Sequence, residues 1–188
     1  MNYLISGLLL FVVLHSLRIV VPSFRDRLIA GLGKPLWFSI HGVLSLVSLW
    51  LIAAGYGESR QSPLWIWFPP LWLNHVTLLL MLVSFVYLVG GLVPGSHIRR
   101  FVRAPVTFGV ILWSTAHLLS NPTTADMLLF GTFFVWALLL QRHVLSRPHE
   151  PASATLSRTL LALAGALAAY LLVLFWLHSA LIGVSPLS

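Results

Sequence analysis

The chain has 188 residues, 59% of them apolar and only 8% charged, with a formal net charge of +7. Globular domains carry about 25% charged residues, so this composition excludes a water-facing surface, and one anchor helix would leave most of the apolar residues unexplained. Absence of cysteine excludes disulfides, thiolate metal sites and thiol nucleophiles. No basic run resembles a nucleic-acid tail, so no nucleic-acid partner is expected.

Apolar stretches long enough for a bilayer (~17–25 residues) fall in chain order at Asn2–Val21, Leu36–Gly55, Leu71–Val93, Pro105–Leu119, Ala125–Gln141 and Ser157–Leu181. The expected fold is all-α: a polytopic membrane protein with six transmembrane helices in one bundle, a single domain over 1–188. The first stretch has no basic leader and no small-x-small cleavage site before Arg18, so it reads as a retained helix. The fourth is short for a span.

Charge then sorts by connection. Arg18, Arg25, Arg27 and Lys34 flank the first, Arg99, Arg100 and Arg103 the third, and Arg142, Arg147 and Arg158 the fifth, leaving only Arg60 for the opposite side. Positive-inside logic places both termini outside the cytoplasm. Trp65, Trp67 and Trp72 around Pro69 and Pro70 fit an outer interfacial belt. Ser146–Ser153 reads as a cytoplasmic linker. In the last span Ala162, Gly165, Ala166 and Ala169 share one face, which predicts close helix packing. Pro94, between Gly91 and Gly95, predicts a helix end there.

Eight histidines accompany only four carboxylates. His97, His143 and His149 sit in or beside basic segments, where solvation or headgroup contact explains them. His15, His41, His75, His117 and His178 fall within spans, where a polar side chain is costly and marks a pathway, a ligand or a buried hydrogen bond. Asp26, Glu58, Asp126 and Glu150 all fall in loops or at helix edges. That disfavours a proton or cation pathway and excludes a carboxylate-bridged di-metal bundle. Imidazole without thiolate or carboxylate suits zinc, copper and iron, and it is the commonest axial ligand of haem. Haem b needs one or two inward histidines, an aromatic apolar pocket and cations for its propionates. Trp113 lies one turn before His117 on the same face, and Arg18 three residues after His15.

Several motifs in order carry a resemblance. His15–Ser16 with Arg18, the Leu71–Val89 stretch with Asn74–His75, Arg103–Ala104–Pro105, and Trp113-Ser114-Thr115-Ala116-His117-Leu118-Leu119 with Asn121 resemble the NnrU family. The likeness covers most of the chain and weakens in the last helix. It implies a bacterial inner-membrane protein associated with nitrite and nitric oxide metabolism. The family is similar to the plastid 15-cis-zeta-carotene isomerase, which carries haem b bound by histidine; its two histidine positions fall on His15 and His117. Two positions depart: Ala104 stands where the family usually has His, and Ser114 where the isomerase has Cys.

Depth complicates a shared iron. His117 lies ~21 Å along its helix from Arg103, against ~4.5 Å for His15 above Arg18, a gap of ~12–16 Å where two imidazoles on one metal reach roughly 12 Å between backbones. Depth alone pairs His15 with His41 and His75 with His117, with His178 also at the outer end. The leading expectation is a haem-b protein in redox or nitric-oxide-linked chemistry, with His15, His117, Arg18 and Trp113 as cofactor-binding residues and His41 and His75 as alternative ligands. The others are a haem-dependent cis–trans isomerase of a polyene or lipid, a structural or assembly partner of a respiratory membrane complex, and a non-haem zinc or copper site. Expected partners are the lipid bilayer, a small gaseous or lipid ligand and a membrane redox partner.

Overall fold

A computed structural model describes residues 1–148 and 153–187. Among them the chain is helical, with one isolated backbone bridge between Trp65 and Thr123. The helices are α1 (Asn2–Val20), α2 (Pro22–Leu32), α3 (Lys34–Ser59), α4 (Trp72–Leu92), α5 (His97–Phe101), α6 (Pro105–Ser120), α7 (Thr124–Leu145) and α8 (Leu156–Leu172). A π-type turn, Val173–Leu177, carries α8 into α9 (His178–Ile182).

Among the described residues, five helices are long and apolar enough to cross a membrane: α1, α3, α4, α7 and the Leu156–Ile182 stretch. The sixth expected segment is α6, apolar but only 16 residues, or ~24 Å against a hydrocarbon core of ~30 Å. Large apolar side chains point outward throughout, Leu46, Trp50 and Phe175 among them, as expected of a lipid-facing surface.

The chain divides into two compact units: Met1–Phe68 with Pro122–Thr132, and Pro69–Asn121 with Phe133–Ser188. In the first, α1 packs on α3 and α2 touches both. The α1–α3 seam is close because glycine allows it. A Cβ on Gly55 would collide with the backbone of Leu4, and one on Gly7 would come within 2.7 Å of the Ile52 nitrogen. Leu4 is fully enclosed there. The start of α7 is fixed by a reciprocal cap. Thr123 Oγ1 accepts from the Asp126 amide at 3.3 Å, and the Asp126 carboxylate accepts from the Thr123 amide at 2.9 Å. Tyr56 of α3 donates its hydroxyl to the same carboxylate at 2.6 Å. Asp126 is thus at a helix edge, as expected, yet buried.

In the second unit α4 packs on α6 and α8. Ser84 Oγ donates to Gly109 O at 2.8 Å and Thr77 Oγ1 to Ala116 O at 3.1 Å. Ala162 and Ala166 are fully buried, and a Cβ on Gly165 would meet Val89 at 3.4 Å. The small-residue face of the last span therefore packs within this unit. The α4 helix ends at Leu92, before Pro94.

Three elements exceed the sequence expectation, the first being α3, which runs to Ser59, four residues past Gly55. The first basic connection holds a helix, α2, begun by Pro22 in its first turn and ended by Gly33 at φ 77°. And α7 runs to Leu145, a turn beyond Gln141, because the Arg103 guanidinium donates to the Val144, Leu145 and Arg147 carbonyls. The expected linker is described only at its ends, because His149, Glu150 and Pro151 lie outside the described residues.

Candidate functional site

Two span histidines share a local construction. His15 Nδ1 lies 2.9 Å from the Phe11 carbonyl, and His117 Nδ1 lies 2.8 Å from the Trp113 carbonyl, each four residues back on its own helix. A carbonyl only accepts, so Nδ1 carries the proton and the lone pair sits on Nε2, the atom that ligates a metal. The residue supplying that carbonyl also supports the ring: Phe11 stacks on His15 at 4.0 Å and Trp113 lies against His117 at 5.2 Å. His41 has the same aromatic spacing, with Trp37 at 5.8 Å, but its Nδ1 faces Ser45 Oγ at 3.4 Å. Trp113 is itself held edge-on by Phe133 at 5.5 Å.

In the first unit His15 and His41 come together, their ring centres 5.1 Å apart and roughly perpendicular. They line a cavity of about 220 Å³ with Arg18, Arg25, Trp37 and Phe38. The charged side chains lining this cavity are the cations Arg18 and Arg25, the latter paired with Asp26 at 3.1 Å. The expected proximity of Arg18 to His15 is present, and Arg25 reaches it from α2, which the sequence reading treated as a plain connection.

In the second unit His117 lines a half-open groove of about 250 Å³ bounded by α4, α6 and the last helical stretch. The histidine sharing it is His178, whose Nδ1 lies 2.7 Å from the Val184 carbonyl. His75 is exposed on α4; Asn74 and Thr77 of that helix line the groove instead. Ser114, three residues before His117, is fully buried and donates to the Val110 and Ile111 carbonyls. Its hydroxyl serves its own helix. His97 is tied to α8 through Thr159 Oγ1 at 2.8 Å, so it is no purely solvated side chain. Among the described residues, no three His, Asp or Glu side chains converge as a cluster. Any metal here therefore leans on one or two imidazoles.

The sequence reading missed the site roles of Arg25 and His178. The recurring aromatic-x-x-x-His spacing at Phe11–His15, Trp37–His41 and Trp113–His117 was a legible signal for three of the cavity histidines. His178 lacks that spacing, and its place in a span at the outer end was its signal.

The family model described as NnrU protein matches residues 3–186. No curated protein and no solved structure matches the chain. The chain belongs to the NnrU family.

Proposed function

We propose that this NnrU-family chain is a haem-b-binding protein of the bacterial inner membrane, acting in nitrite- or nitric-oxide-linked redox chemistry. It crosses the membrane six times, with both termini outside the cytoplasm. The observation that carries the reading is the shared tautomer of His15 and His117. Each ring is fixed by its own helix so that Nε2 holds the lone pair, the form in which imidazole binds iron.

The residues fit the group. His15 would supply an imidazole donor to the iron, and Arg18 and Arg25 in the same cavity would supply cations for carboxylates. His15, whose Nδ1 is tied to the Phe11 carbonyl, would be the iron ligand of this cavity, with His41, whose Nδ1 faces Ser45 Oγ at 3.4 Å, as the alternative. When bound, haem supplies an iron that changes by one electron and takes a small ligand such as nitric oxide. The chain's part is to hold imidazoles in one tautomer, neutralise carboxylates through Arg18 and Arg25, and keep His117 oriented with Trp113.

The test is an absorption spectrum of detergent-purified protein, oxidised and dithionite-reduced. A Soret band that is lost or shifted in His117→Ala and His15→Ala is the expected result. Folded but colourless protein from iron-replete cells would refute the reading. Orientation has its own test, made simple by the cysteine-free background: Arg60→Cys should react with an impermeant maleimide in spheroplasts, and Arg147→Cys only after permeabilisation.

A second reading, a haem-dependent isomerase of a polyene or lipid, is favoured by the apolar groove that reaches His117. Conversion of a polyene only under reducing conditions would support it.

A further inference from the structure

The groove of the second unit changes character along its length. Because Thr77 meets Ala116 and Ser84 meets Gly109, α4 and α6 run antiparallel, and the start of α4 lies beside the end of α6. Asn74, Ser120, Asn121 and His117 therefore gather at one end of the groove, with His178 and Ser185. One to three turns further along α4, the walls are Leu78, Met81 and Phe85, faced by Tyr170, Val173 and Leu174. From Asn74 to Phe85 is ~16 Å of helix. The polar end is matched to a head group and the apolar strip to a tail.

His178 reaches the groove through the π-type turn. In an unbroken α-helix at ~100° per residue, Leu177 would fall ~20° from Tyr170 and His178 ~80° from it. The wide turn at Val173–Leu177 absorbs about one residue of rotation, bringing His178 to the position that Leu177 would otherwise hold. The chain then reverses at Gly183, φ 76°, and the Val184 carbonyl takes the Nδ1 proton of His178. The lone pair of His178 is thereby on Nε2, as in His117. In its neutral form the His178 ring thus has a hydrogen-bond acceptor for a donor head group in the groove it lines.

We propose that this groove binds a single-tailed membrane lipid through a hydroxyl head group, with His178 as the accepting residue. The proposal rests on the lipid-ligand reading of the groove and needs no haem. Two sources share that chemistry, a quinol and an isoprenoid alcohol. Full-length protein in nanodiscs, kept anaerobic, is titrated with farnesol against farnesene and with decyl-ubiquinol against decyl-ubiquinone, read by tryptophan fluorescence. Each hydroxylated member should bind at least tenfold more tightly than its partner if its class is the ligand, and the pair showing the preference identifies the source. His178→Leu should remove that preference, and His178→Gln, which retains an acceptor, should keep part of it. Leu174→Trp fills the apolar strip without touching the histidines and should block binding even if His178→Leu misfolds. No hydroxyl preference in either pair, or a preference unchanged within twofold in His178→Leu, overturns the proposal. A Soret spectrum of the same samples separates this outcome from failure of the haem reading, since His178→Leu should leave that band in place.

Discussion

The two histidine-lined cavities hold similar rings in opposite surroundings. In the first unit His15 and His41 stand among guanidinium groups and aromatic rings; in the second His117 and His178 stand at the polar mouth of an apolar strip. Imidazole is common to both, so the neighbours decide the ligand. Cations beside a ring select an anionic group such as a carboxylate, and an apolar strip beside a ring selects a tail. A histidine count from the sequence sees no such difference.

That contrast can be broken at several strengths. The largest effect is expected at the α1–α3 seam, where Gly55→Leu forces a side chain into the Leu4 backbone and should cost about 3 kcal/mol. Denaturant titration in mixed micelles would measure it, with loss of the His15 cavity visible as loss of the Soret band. Next comes Asp126→Ala, which strands the buried Tyr56 hydroxyl and the Thr123 amide at ~2 kcal/mol; Asp126→Asn, still an acceptor, should cost less than half as much. In the second unit Arg103→Ala uncovers the last carbonyls of α7 for roughly 1–2 kcal/mol. Amide exchange there should speed up at Val144–Arg147 while the Asp126 end is unchanged. Smallest, and opposite in sign, is Ala104→Gly. Ala104 sits at φ 51°, ψ 56° just before Pro105, a left-handed conformation that disfavours a Cβ, so glycine should raise the melting midpoint by the equivalent of up to ~1 kcal/mol.

The helical stretches were legible because lipid demands long apolar runs, and the observed ends fall within a few residues of those expected except where side chains extend a helix. The fourth segment is as short as its sequence suggested. Arg103 lengthens α7 by a contact across more than 40 residues of sequence, which no local pattern carries. The π-type turn lies in Val-Leu-Phe-Trp-Leu, a uniformly apolar run with nothing to mark a change of pitch, and so the reach of His178 was hidden too. By contrast, the Thr123-x-x-Asp126 cap could have been read directly, and it accounts for a buried acid that composition placed at an edge. At the site, Arg18 beside His15 and Trp113 beside His117 follow from helical spacing, whereas Arg25 needed α2 to be a helix.

The Nδ1–carbonyl bonds of His15 and His117 have one further effect. Each ring is tied through Nδ1 to a carbonyl four residues back on its own helix. An aromatic followed four places later by histidine thus sets the side of the imidazole that faces away from its own backbone within little more than one helical turn.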